Sequence, residues 1–153
     1  MSPNSTKVVS VLFVLMFIFL PMGWIIMYNS IPSQYYPVNS GQVQAALKAA
    51  GLNICSQTDS QWNLTGAQGG QIFVISSDCS AKQQTDAIYV HTQNFDSADN
   101  RDSAVKAIQR GIVINGLNAA VYTYGSYVIV VQGQKGGTPI TQTVAQVKAQ
   151  IGK

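Results

Sequence analysis

Cys55 and Cys79 are the only cysteines in the sequence, His91 is its single histidine, and all six acidic residues are Asp. Two cysteines without a Cys-x-x-Cys motif point to a structural disulfide rather than a redox dithiol. Each lies at the edge of a predicted strand, where neighbouring strands can satisfy the Cα separation a bridge needs. Closing that loop stabilises a domain by roughly 3–4 kcal/mol on the chain-entropy model. Blue-copper chemistry is excluded, because it needs two His with the Cys and every Met lies in the first 27 positions. Covalent haem and iron–sulfur clusters lack their cysteine patterns. His91 reads as a half-exposed strand residue, and no cofactor is expected.

Hydrolytic chemistry has little to work with. No Gly-x-Ser-x-Gly elbow occurs, and paired-carboxylate catalysis would have to use Asp alone. "GQKGGT" at Gly133–Thr138 lacks phosphate-loop spacing and reads as a loop leading into a helix. The densest charge cluster is "DSADNRD", from Asp96 to Asp102. It reads as a capped helix start with Asp102 and Lys106 at i,i+4. A sharper reading makes Asp96, Asp99, Arg101 and Asp102 a contact for a partner or ligand. "NLT" at Asn63–Thr65 is an N-glycosylation sequon.

The elements that must position these residues start with an apolar run. Val8–Met27 carries no charge, and at 1.5 Å per residue it covers roughly 30 Å, the hydrocarbon thickness of a bilayer. It is longer than a cleaved signal's core and ends without a small-x-small site. The run exits through Trp24, Tyr28, Tyr35 and Tyr36, read as an aromatic belt at the membrane interface. A pilin-type assembly helix is excluded, because no Gly-Phe processing site precedes the run and no Glu lies near its start. Residues 1–7 are therefore read as a cytoplasmic N-terminus, 8–28 as a retained transmembrane helix in contact with lipid, and 29–40 as a linker. Lys7 and the terminal amine place the N-terminus inside and residues 41–153 outside, in an extracytoplasmic domain.

Within that domain the expected order is α-β-β-β-α-β-β-α. Ser40 is the predicted cap of the first helix, with Val43, Ala46, Leu47 and Ala50 inward and Gly51 as its stop. Strands are expected near Asn53–Gln57, Gln61–Leu64, Gln71–Ser77 and Asp86–Thr92, with "GAQGG" at Gly66–Gly70 as a turn. The next helix begins at Asp96 or Ser97 and buries Val105, Ile108 and Ile112. Gly125-Ser126 closes a two-residue hairpin that sets Tyr124 opposite Tyr127, and "YVIVV" is an interior strand. Thr138 and Pro139 open the last helix, with Ile140, Val144, Val147 and Ile151 inward. This is an α+β fold, with a small, mostly antiparallel sheet and helices packed on one face.

Charged residues make up 10% of the chain, and its net charge of +3 forms no basic run. Nucleic acid is not an expected partner. The leading functional expectation is a non-catalytic, membrane-anchored extracytoplasmic protein, an accessory or structural subunit among other membrane or envelope proteins. The alternative is a binding module for a small ligand or surface polymer, built on Trp62, Tyr89, Tyr122, Tyr124 and Tyr127. An Asp-dependent hydrolase is the third reading.

Overall fold

The computed structural model describes residues 34–80, 86–134 and 140–151. Helix α1 (Ser40–Ala49) starts on a capping box. The Asn39 side chain accepts from the Gly41 N–H at 2.9 Å, and the Gln42 side chain accepts from the Asn39 N–H at 3.1 Å. Asn39 is thus the cap in place of Ser40, because Gln42 stands three residues beyond it and completes the reciprocal pair. Val43, Ala46 and Leu47 face inward, and Gly51 ends the helix with φ +75°.

Strands β1 (Ile54–Ser60), β2 (Ala67–Ile75) and β3 (Ile88–Phe95) follow. Two expectations are corrected here. Gln61–Leu64 is the β1–β2 connection rather than a strand, and most of "GAQGG" is strand rather than turn. Tertiary pairing decides this. A side chain at Gly70 would place its Cβ 1.8 Å from the Thr92 carbonyl oxygen, so glycine here lets β2 approach β3 closely.

Helix α2 (Ala98–Asn115) is capped by the Ser97 side chain, and Gly116 follows it in the left-handed region. Strands β4 (Ala119–Tyr124) and β5 (Tyr127–Gln132) form the expected hairpin around Gly125-Ser126, with Tyr124 opposite Tyr127. Helix α3 (Thr141–Gln150) closes the fold. Its predicted start, Thr138 and Pro139, lies outside the described residues.

The sheet has five antiparallel strands in the order β1-β2-β3-β5-β4. Its helices pack on both faces, which corrects the expectation of one. Tyr127, Ile129 and Val131 of β5 point toward α1 and α3, joining Val43, Leu47, Phe73, Val90 and Val147. Val128 and Val130 point the other way and meet Ala104 of α2 and Phe95. A strand apolar at five consecutive positions can be buried on two sides, and β5 is from Tyr127 to Val131. The buried face of α2 also differs from expectation. Arg101 and Ala104 are fully buried, while Val105 and Ile108 are only partly covered. Val113 and Ile114 are 79% and 73% exposed.

Cys55 and Cys79 form the disulfide, with Cα atoms 5.0 Å apart. Cys55 sits where the β1–β2 register shifts between Ile54 and Ser56. The bridge closes a loop of 24 residues. Reduction is expected to lower the unfolding free energy by about 3 kcal/mol, read as a shift of the urea midpoint. An unmoved midpoint would contradict this.

Near the same loop, Asp86 accepts hydrogen bonds from the Ser76 hydroxyl and the Ser77 N–H. These hold its carboxyl down at about 2. Because the folded value lies below the unfolded one, the carboxylate's stabilisation is complete above about pH 4. It is lost as pH falls through about 2. Asp86→Asn is expected to flatten that stretch of the stability profile, measured by thermal melts from roughly pH 5 downward.

Candidate functional site

The Asp96–Asp102 cluster divides into an outer and an inner part. Asp96 and Asp99 are exposed at the start of α2, and Asp96 accepts from Asn100 Nδ2 at 2.8 Å. Arg101 is 1% exposed. Its Nε and Nη2 both reach Asp102 Oδ1 at 2.8 Å, and Nη1 donates to the Gly125 carbonyl. Its guanidinium also lies 5.5 Å from the centroid of the Tyr35 ring. Asp102, expected to pair with Lys106, pairs with its neighbour Arg101. Of the four proposed contact residues, the three Asp remain at the surface and Arg101 holds the fold together from inside.

Tyr35 and Tyr36, read from sequence as membrane-interface residues, are seated on the domain. The Tyr35 hydroxyl donates to the Phe95 carbonyl at 2.9 Å, and Tyr36 meets Tyr124 edge-on at 5.7 Å. The Val38 N–H donates to Ser126 Oγ at 3.3 Å. Gly125 makes the seat possible. Its φ is +53°, and a Cβ there would lie 2.3 Å from Val38 Cγ2 and 2.5 Å from the Tyr36 carbonyl oxygen. Trp24, Tyr28 and the predicted span 8–28 lie outside the described residues. Among the described residues no helix is long and apolar enough to cross a membrane.

The aromatic residues of the binding-module reading do not share a groove. Trp62 packs edge-on against Phe95, and Tyr124 packs against Tyr36. Tyr127 is buried and hydrogen-bonded to the Ser40 side chain, with burial raising its pKa. Tyr122 lies under Lys148 Nζ at 4.9 Å, and burial pushes its hydroxyl well above the ordinary range. Tyr89 is exposed beside half-buried His91, whose pKa burial lowers. Tyr122, Tyr124 and Tyr127 lie on the α1/α3 face of the sheet, whereas Tyr89 and Trp62 lie on the α2 face. Among the described residues, no three His, Cys, Asp or Glu side chains gather to hold a metal ion. Asn63 of the sequon is exposed in the β1–β2 connection.

Sequence reasoning missed a polar cleft of about 520 Å³ beside the start of α1. Asp59, Gln61, Gly69, Gln71, Asn94 and Tyr127 line most of it. Gln71 Nε2 donates to Asp59 Oδ1 at 3.3 Å, and Gln61 Nε2 donates to the Ala67 carbonyl at 2.9 Å. Asn94 Oδ1 is buried and has no hydrogen-bond partner among the described residues. The lining comes from five elements, so no spacing in the sequence marks it. The one signal was a glycine pair inside a strand pattern, which marks close backbone approach or a bulge.

Comparison with protein-family models, with curated proteins and with solved structures returned no match.

Arg101→Ala is expected to destabilise the domain by about 3 kcal/mol, since it removes a buried charge and strands the carbonyl and carboxylate it serves. Arg101→Lys should recover only a minor part, because an ammonium cannot reproduce the planar fork. Urea denaturation of both variants checks this, and a lysine variant as stable as the parent would contradict it.

Proposed function

We propose that this chain is a non-catalytic, single-pass membrane protein whose extracytoplasmic domain acts by contact with other membrane or envelope protein subunits. Residues 8–28 anchor it, with the N-terminus cytoplasmic. A disulfide-bonded, charge-poor domain fits an oxidising exterior.

The observation that carries the contact role is the exposed aliphatic end of α2. Val113, Ile114 and Leu117 are all exposed there. Isolated apolar residues on a surface need no explanation, but three within five positions make a local patch. At the opposite end of α2, Tyr35 and Tyr36 sit against Phe95 and Tyr124. The 18 residues of α2 separate the two ends by roughly 27 Å at 1.5 Å per residue.

The test is extraction of the full chain from its native membrane in mild detergent, followed by purification on a C-terminal tag. The expected product is a defined complex larger than the monomer, lost in the Val113→Ser, Ile114→Ser double variant while the domain's circular dichroism is unchanged. A clean monomer, or release of the chain from the membrane by alkaline carbonate, would overturn the proposal.

A further inference from the structure

The outward side of α2 carries charge in a definite order. At about 100° per residue, Asp99, Lys106, Arg110 and Val113 fall within roughly 60° of one another, turned away from buried Arg101 and Ala104. All four are exposed. From its N-terminal end this side is acidic, then basic, then aliphatic at Val113 and Ile114. The helix accounts for only part of that order. Asp99 lies in the first turn, where the dipole favours an anion, but the last turn holds no basic residue. Asp102, at i,i+4 from Lys106, is taken by Arg101. Among the described residues, Asp99, Lys106 and Arg110 have no ion pair on their own domain.

Exposed apolar residues mark both ends of the same helix. Val113, Ile114 and Leu117 lie at one end, and Leu64, 38% exposed, lies in the turn before β2 at the other. That turn is tied to the helix start, since the Asp96 N–H donates to the Gly66 carbonyl at 3.0 Å. An anionic lipid surface fits this pattern poorly, because exposed Asp96 and Asp99 and partly exposed Asp102 would face it along with the cations. A copy of the same helix running the other way fits it well. Setting Asp99 against Arg110 of a second copy brings Lys106 opposite Ser103, beside Asp102. Val113 and Ile114 then reach the level of Asp96 and the Leu64 turn. A two-fold axis repeats every such contact, whereas a parallel pair would set like charges together.

We infer that α2 pairs antiparallel with α2 of a second copy of this chain, through reciprocal Asp99–Arg110 ion pairs and through Val113 and Ile114 packed beside Leu64 of the other copy. Exposed ion pairs add little affinity, so here they set direction and register while the aliphatic ends supply the burial. The inference rests on the reading of the α2 patch as a protein contact and names the chain itself as the neighbour.

The test produces two full-length copies with different C-terminal tags together in the native membrane, extracts them in mild detergent and purifies on one tag. The second copy is expected to be retained. Asp99→Arg in both copies, or Arg110→Asp in both, opposes like charges at both pairs and should lower retention about tenfold or more. One copy with Asp99→Arg and the other with Arg110→Asp has opposite charges at both pairs again, and retention should return close to the parental level. Mixing cannot repair a folding defect, so that rescue separates pairing from stability. No retained second copy, retention that both single changes leave unaltered, or a mixed pair that does not recover would overturn the inference. A complex with other proteins that holds one copy of this chain overturns the pairing and leaves the assembly role standing. Copies that pair in detergent while alkaline carbonate releases the chain support the pairing and overturn only the anchor.

Discussion

A guanidinium buried in the interior constrains this domain more than any other group. Desolvating a charge costs several kcal/mol, so its N–H groups must find acceptors in place. Arg101 obtains them from Asp102 and the Gly125 carbonyl, and presents its flat face to the Tyr35 ring. Those partners belong to the start of α2, the β4–β5 turn and the segment preceding α1. Their positions are thereby coupled. Gly125 serves the coupling twice, since its carbonyl receives Arg101 and its missing side chain leaves room for Tyr36 and Val38.

The sheet carries the second constraint. β5 is buried at five consecutive positions, so it needs cover on two faces. α1 and α3 together cover one, with Leu47 and Val147 both fully buried there. α2 covers the other, lying mainly on β4, β5 and β3, with Trp62 and Ala67 packed beside it. At about 100° per residue Val113 and Ile114 fall on the side of α2 away from its inward stripe of Arg101, Ala104 and Ile108, which leaves them in solvent. Tyr89, on the part of β3 that α2 does not cover, is exposed.

These constraints also distribute the regions of functional interest. The seat for Tyr35 and Tyr36 and the polar cleft both use the end of the sheet around the Asn94–Tyr127 pair. The aliphatic patch lies at the far end of α2. The cleft lies where a glycine-bearing bulge interrupts β2 near the start of α1, and the patch lies on the side of α2 turned away from the sheet. Both follow from packing geometry, and neither is written as a motif.

Much of the fold was legible locally. Gly51 ends the first helix, Gly125-Ser126 sets the hairpin, and the element order follows from hydrophobic period and punctuation. With two cysteines in the chain, the disulfide pairing had one solution. The misreadings arose where contacts from distant residues outweighed local preference. Gly66–Gly70 looked like a turn because glycine is read as punctuation, yet pairing with β3 makes most of it strand. Arg101 looked like a surface charge because cations usually are, and its burial depends on a carbonyl 24 positions away. The sequence by itself determined the helices, the β4–β5 hairpin and most of the strands, which depend on neighbours within a turn or a hairpin, and its two cysteines left one possible cross-link. Only the tertiary structure decided which sheet face each helix covers, where Arg101 lies and that a cleft opens beside the start of α1. Those features rest on contacts such as Tyr35–Phe95 and Val38–Ser126, 60 and 88 positions apart, which no local pattern encodes.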